Sequence, residues 1–181
     1  MPKILYHRKA AVNIAAFLWN NIFQKIQKES ELDMSRCCQN TVETDTSETL
    51  CPLCRQSGKG VKLITLKSLL KPSSLAKLQP KLNYSFCSTS HCDVVYYSEL
   101  NTFRMQDLKV PVFQKDDGSE VPVCYCFGLS RASLISEAKA NAIDFIREQV
   151  RENRCGCEVN NPQGACCLGN VSHVVQQLGM K

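Results

Sequence analysis

The sequence is poor in the groups with which most enzymes work. It has three histidines, His7, His91 and His173. It has no H-E-x-x-H, no G-x-S-x-G, no Gly-rich phosphate loop and no dinucleotide fingerprint. Zinc peptidase, serine hydrolase and nucleotide-dependent chemistry are therefore without support. His7 and His173 fall in helical stretches, where a surface position accounts for them more simply than catalysis. Charge of one sign is also scarce. The net charge is +5, and residues 1–33 supply +2 of it through five basic and three acidic side chains. With no dense basic stripe and no interleaved aromatics, no nucleic-acid partner is expected. Long apolar runs are missing too, so nothing in the chain reads as a bilayer span. Repeats and low-complexity tracts are absent. At 181 residues and 44% apolar composition, the chain can bury a core in one domain or two small ones.

Cysteine is abundant. The twelve lie at 37, 38, 51, 54, 87, 92, 124, 126, 155, 157, 166 and 167. An even count invites a disulfide framework, which needs an oxidising compartment. The first residues carry Lys3, Arg8 and Lys9 before "AAVNIAAFLW", but Asn13 interrupts the apolar run and no small-residue cleavage site follows. A cytoplasmic setting is expected. Adjacent and one-apart cysteines also cannot bridge each other without strain. Close pairs suit a metal, which draws several thiolates to one point.

Residues 4–27 have helical periodicity, with Ile14, Leu18, Ile22 and Ile26 on one ridge and Ala11, Ala15, Trp19 and Phe23 on the next. The expectation for 1–33 is an amphipathic helical extension that packs on the protein or on a partner. A membrane-surface segment is the less favoured reading, and a start of translation at Met34 is a third. Residues 34–49 read as a polar linker. From 50 to 115 the pattern turns to short strands: "VKLITL" (61–66), "LNYSF" (82–86), "DVVYY" (93–97) and "TFRM" (102–105). "DDG" at 116–118 marks a turn and a boundary. Residues 119–181 are mainly helical. Ser130 is an N-cap, a break is expected near Lys139–Asn141, and Gly179 closes a last helix bearing Val171, Val174, Val175 and Leu178. The fold class is α+β.

Two cysteine constellations emerge. "CPLC" and "CSTSHC" place Cys51, Cys54, Cys87 and Cys92 at the tips of two turns, 32 residues apart. Two thiolate knuckles give zinc its four tetrahedral ligands, and a closed four-thiolate site leaves no position for substrate. Four reduced, buried cysteines without metal are the plainer alternative. His91 adjoins Cys92 and is a candidate replacement ligand. The second set joins Cys124 and Cys126 to sulfurs among Cys155, Cys157, Cys166 and Cys167, across a helical excursion. A [2Fe–2S] cluster takes two sulfurs on each iron and suits this arrangement. Spacing discriminates poorly between metals, so zinc is the rival there. Adjacent residues at a helix start can both face a cluster, and the residues alone do not choose between Cys166 and Cys167.

"CYCFG", an N-cap serine, a helical hairpin and "CxxxNPxGxCC" together resemble a bacterioferritin-associated-ferredoxin-like (BFD-like) [2Fe–2S] domain. With "CPLC" and "YSFCSTSHCDVVYY" before it, residues 50–178 resemble the N-terminal region of the CopZ family of copper chaperones. The resemblance implies zinc on Cys51, Cys54, Cys87 and Cys92, and a [2Fe–2S] cluster on Cys124, Cys126, Cys157 and Cys167. Cys155 and Cys166 then become spare thiols or alternative ligands. It also implies a β-rich zinc module at 50–115, a BFD-like module at 119–181, and a redox or metal-handling partner protein related to copper or iron. Full-length members continue into a heavy-metal-associated domain with an M-x-C-x-x-C motif that these residues do not include, so copper delivery itself is not implied. Cys37 and Cys38 lie outside the resemblance; a vicinal pair in a polar linker suits a soft metal such as Cu(I) or Hg(II). One-electron transfer to a metal ion or partner is the leading expectation. A metallochaperone or metal-sensing protein without that role is the alternative. Thiol redox chemistry at Cys51–Cys54 is weakest, because no βαβ unit surrounds it.

Overall fold

A computed structural model describes residues 49–135 and 141–179. The expected N-terminal helix, the linker, Cys37 and Cys38 lie outside these residues, as does most of the break at 139–141.

The first half is a four-stranded antiparallel sheet in the order β1-β2-β3-β4, formed by Lys59–Val61, Tyr84–Phe86, Val94–Tyr97 and Thr102–Arg104. Between β1 and β2 the chain forms helices α1 (Leu63–Leu69) and α2 (Pro72–Leu75). The strand expected at 61–66 is therefore corrected: only Val61 is in a strand. The six-residue window is rich in β-branched residues, Val61, Ile64 and Thr65, but Leu63, Leu66 and Leu70 recur at i, i+3 and i+7, which is helical spacing. Burying Leu66 and Leu70 on the sheet decides the matter in favour of the helix. Proline at the first position of α2 fits a helix start, where its missing N–H has no partner to lose.

All four residues of β3 are buried, so this strand is covered on both faces. Strict alternation would put Val94 with Tyr96. A register shift between them in the pairing with β4 breaks the alternation. Val95 and Tyr96 thus enter the main core with Leu66, Leu70, Tyr84, Phe86 and Phe103, while Val94 and Tyr97 pack with Cys51, Cys87 and Cys92. Gly58 is needed beside this second cluster. A Cβ there would lie 2.4 Å from the Tyr97 hydroxyl and 2.7 Å from the Phe86 carbonyl oxygen.

The second half begins with the hairpin β5 (Pro122–Cys124) and β6 (Leu129–Ser130), turning through Gly128 at φ +64°. Helices α3 (Arg131–Ile135), α4 (Ala142–Arg151), α5 (Cys157–Asn160) and α6 (Leu168–Gly179) follow. Ser130 caps α3 as expected, its Oγ accepting from the Ser133 N–H at 3.2 Å. Helices α3 and α4 both pack on α6. Val123, Leu134, Ala142, Ile146, Val171 and Val174 form their core, together with Cys124, Cys157 and Cys167.

The two halves form one compact unit. Helix α1 lies against α5. The Thr65 hydroxyl donates to the Glu158 carbonyl at 2.6 Å, and the Tyr96 hydroxyl to the Pro162 carbonyl at 2.8 Å. The connecting segment is held from both sides. Arg131 stacks on the Phe113 ring at 4.4 Å and donates to the carbonyls of Phe113, Asp116 and Gly118. The expected turn is present, with the Gly118 N–H on the Asp116 carboxylate at 2.9 Å. Among the described residues, no helix is long and apolar enough to cross a membrane.

Candidate metal centres

Cys51 and Cys54 sit in a tight turn just before β1. In that turn the Arg55 N–H bonds back to the Cys51 carbonyl and the Cys51 N–H to the Gln56 carbonyl, each at 2.9 Å. Cys87 and Cys92 flank the loop between β2 and β3, closed by Cys87 N–H to Val95 carbonyl at 2.9 Å and Cys92 N–H to Thr89 carbonyl at 3.2 Å. The sheet places the two turns face to face. All four sulfurs lie within 4.8 Å of one another, the one such group among the described residues. Cys51 and Cys92 are 3.7 Å apart, Cys54 and Cys87 3.6 Å.

Zinc–thiolate bonds of ~2.3 Å at tetrahedral angles separate the sulfurs by about 3.8 Å, close to the separations of the Cys51–Cys92 and Cys54–Cys87 pairs. Cys51, Cys87 and Cys92 are buried, Cys54 only partly. Burial pushes Cys51 up and drives Cys92 up to about 12. The Thr89 hydroxyl, 3.5 Å from the Cys54 sulfur and able to donate to its thiolate, together with the Gln56 backbone draws Cys54 down to about 6. His91 is exposed and does not join the group.

Sequence reasoning missed two supports of this centre. Thr89 sits within the C-x4-C loop and gave no signal apart from its position. Lys115 is 23 residues beyond Cys92, yet its ammonium donates to the Thr89 and Cys92 carbonyls, each at 2.8 Å. It ties the knuckle to the connecting segment.

Arg55 adopts φ 61°, a left-handed conformation that costs a side chain about 1–2 kcal/mol and glycine almost nothing. Arg55→Gly is expected to stabilise the chain by about 0.5–1 kcal/mol, the relieved strain being partly offset by a more flexible unfolded state. Urea unfolding of the zinc-loaded protein measures it; unchanged or lower stability would show that the arginine side chain compensates its own strain.

The second set of sulfurs is arranged in pairs. Cys124 ends β5, Cys126 lies in the hairpin turn, Cys157 opens α5, and Cys166 and Cys167 precede α6. Cys126 and Cys157 are 3.6 Å apart, and Cys124 and Cys167 share the same core and shift each other's titration. Cys166 lies in the same neighbourhood, its thiol drawn down chiefly by Cys157. Cys155, half-buried, packs at the edge of this core. In each pair one sulfur is drawn toward thiolate by its partner's S–H and the other held protonated. Cys126 is lowered to about 6 by Cys157, and Cys167 to about 4 by Cys124; Cys124 and Cys157 move up. Cys126 also accepts from the Gly156 N–H at 3.3 Å and the Asn160 side-chain amide at 3.7 Å. Asn160, the last residue of the short helix α5, belongs to no motif and carries no signal in the sequence.

Residues 48–109 match the zf_CopZ family, a zinc binding domain, and these residues contain all four cysteines of the first centre. The copper chaperone CopZ of Archaeoglobus fulgidus is 34% identical over 122 residues, 65% of this chain and 57% of that protein. The chain thus spans a little over half the length of that relative. The X-ray structure of the A. fulgidus CopZ N-terminal domain superposes with a TM-score of 0.57 at 30% identity, covering 69% of this chain and 96% of that domain. With its sheet, its two facing knuckles and its sequence all in agreement, the chain belongs to the family of the CopZ N-terminal domain.

Proposed function

We propose that this chain is a metal-handling accessory protein of the copper-chaperone kind, with one structural zinc and one [2Fe–2S] cluster. The observation that carries the reading is the convergence of four thiols, at zinc-like separations, in a chain related to a protein named as a copper chaperone. On this reading residues 50–115 are the zinc module and residues 119–181 the cluster module. Cys51, Cys54, Cys87 and Cys92 hold zinc; closed coordination by thiolates gives that metal a folding role.

The fit of Cys124, Cys126, Cys157 and Cys167 to a two-iron cluster rests on their grouping in one core. They would supply the four sulfurs that such a cluster needs. When bound, such a cluster supplies one-electron chemistry. The chain's own contribution is to donate N–H groups to the Cys126 sulfur from Gly156 and Asn160, and to shield Cys124, Cys157 and Cys167 in an apolar core. A dedicated electron carrier is the second reading, favoured because four protein thiolates leave the cluster no open position for substrate. Reduced thiolate ligands suit a cytoplasmic setting, and the partner is a metal-handling protein related to copper.

Metal analysis and a visible spectrum of the purified chain test this. The expected result is a brown protein with about one zinc and about two irons per chain. It should also take up Cu(I) and yield it to a competing thiolate acceptor without losing zinc. A colourless protein with zinc at both centres would remove the cluster. A brown protein that neither binds Cu(I) nor passes it on would leave the electron carrier.

A further inference from the structure

Tyr96 lies in β3, the strand that leaves the zinc knuckle at Cys92, and its side chain is fully buried. Its hydroxyl reaches out of the sheet core and donates to the Pro162 carbonyl at 2.8 Å. Pro162 is in the stretch between Cys157 and Cys167. That stretch braces itself around buried Asn161, whose side-chain amide donates to the Ala165 carbonyl at 2.7 Å and whose own carbonyl accepts from the Gly164 N–H at 2.8 Å. Gly164 sits at φ +65° so close to α1 that a Cβ would lie 3.1 Å from the Thr65 hydroxyl and 3.3 Å from Val61. Thr65 in turn holds the Glu158 carbonyl, one residue after Cys157. The sheet half therefore grips the loop at two points, Glu158 and Pro162, and both grips are hydroxyls aimed at backbone carbonyls.

We infer that Tyr96, seconded by Thr65, is a positioning residue for the second metal centre: the zinc-bearing half fixes the loop that presents Cys157 and Cys167. This rests on the cluster reading given above. A buried tyrosine must find an acceptor somewhere, so the hydrogen bond alone would be ordinary core satisfaction. Its direction gives it a further role. The acceptor belongs to the loop between two thiols and not to the tyrosine's own sheet, so the bond's loss leaves the loop's carbonyl unpaired.

The test is Tyr96→Phe in the full chain, which removes one oxygen and keeps the ring. Zinc content should stay at the wild-type value, while a ferrous chelator should strip iron on the order of tenfold faster, the effect of one lost buried hydrogen bond. The visible circular dichroism of the cluster should change shape. In the iron-free chain, hydrogen exchange of the amides from 161 to 167 should speed up relative to those of α6. Thr65→Val should act in the same direction, so a single misfolded variant does not decide the outcome. Iron release and loop exchange at wild-type rates in both variants would overturn the assignment, as would equal loss of zinc and iron, which marks a general loss of stability. A wild-type chain devoid of iron would instead overturn the cluster reading, and the exchange measurement on the iron-free chain would still decide the role of Tyr96.

Discussion

Cys51→Ser is expected to yield a chain without stoichiometric zinc, unfolding with a stability loss on the order of 4–5 kcal/mol, the scale that accompanies loss of a metal. Cys51 is wholly buried between the two turns and packs with Val94 and Tyr97, so the variant also leaves a hydroxyl in an apolar pocket. Zinc content by elemental analysis and the midpoint of urea unfolding measure the two effects together. Full zinc content would show that three thiolates and His91 or water suffice. The same centre gives a pH dependence of definite sign. Near neutrality Cys54, at about 6, is mostly thiolate, whereas burial keeps Cys51 and Cys92 protonated. Zinc must displace at least the protons of Cys51 and Cys92, so its apparent affinity should climb about a hundredfold or more per pH unit between pH 7 and 9 and steepen further below pH 6, where Cys54 also takes a proton.

Cys157→Ser is expected to abolish the visible absorption, and Cys155→Ser to keep it. Cys157 is buried at the start of α5, within 3.6 Å of Cys126 and beside Cys166 and Cys167, whereas Cys155 lies at the rim of that core. On the cluster reading, replacing the central sulfur removes a ligand that three other thiols surround, and replacing the peripheral one removes none. Iron content after anaerobic reconstitution is the readout. The reverse pattern, a bleached Cys155 variant and a brown Cys157 variant, would reassign the ligand. Survival of the cluster in Cys157→Ser would point to Cys166 as its substitute.

The cysteine knuckles were legible because their information is local. C-x2-C and C-x4-C each specify a turn, and "LNYSF" and "DVVYY" specify the strands beside them, which now appear as β2 and β3. Ser130 and the residues of α6 were legible for the same reason. "VKLITL" misled because six residues cannot separate a period of 2 from one of 3.6 when the deciding leucines, at 66, 69 and 70, lie at or beyond its end. Lys115, Tyr96 and Asn160 were illegible on other grounds. Each acts across 23 to 66 residues on a carbonyl or a sulfur, and a backbone carbonyl has no letter in the sequence. The choice between Cys166 and Cys167 turned on resemblance. The structure groups both with Cys157, and Cys167 is also the neighbour that most perturbs Cys124.

The paired sulfurs carry a liability that bears on handling. Cys51–Cys92, Cys54–Cys87 and Cys126–Cys157 each stand at 3.6–3.7 Å, and two of these pairs contain a thiolate at neutral pH. An oxidant that converts the thiolate member to a sulfenic acid places it beside its partner thiol, and the two condense with loss of water into a disulfide that closes the metal site. Newly made chain is thus in a race between metal supply and oxidation, and the interval before loading decides how much of it becomes competent.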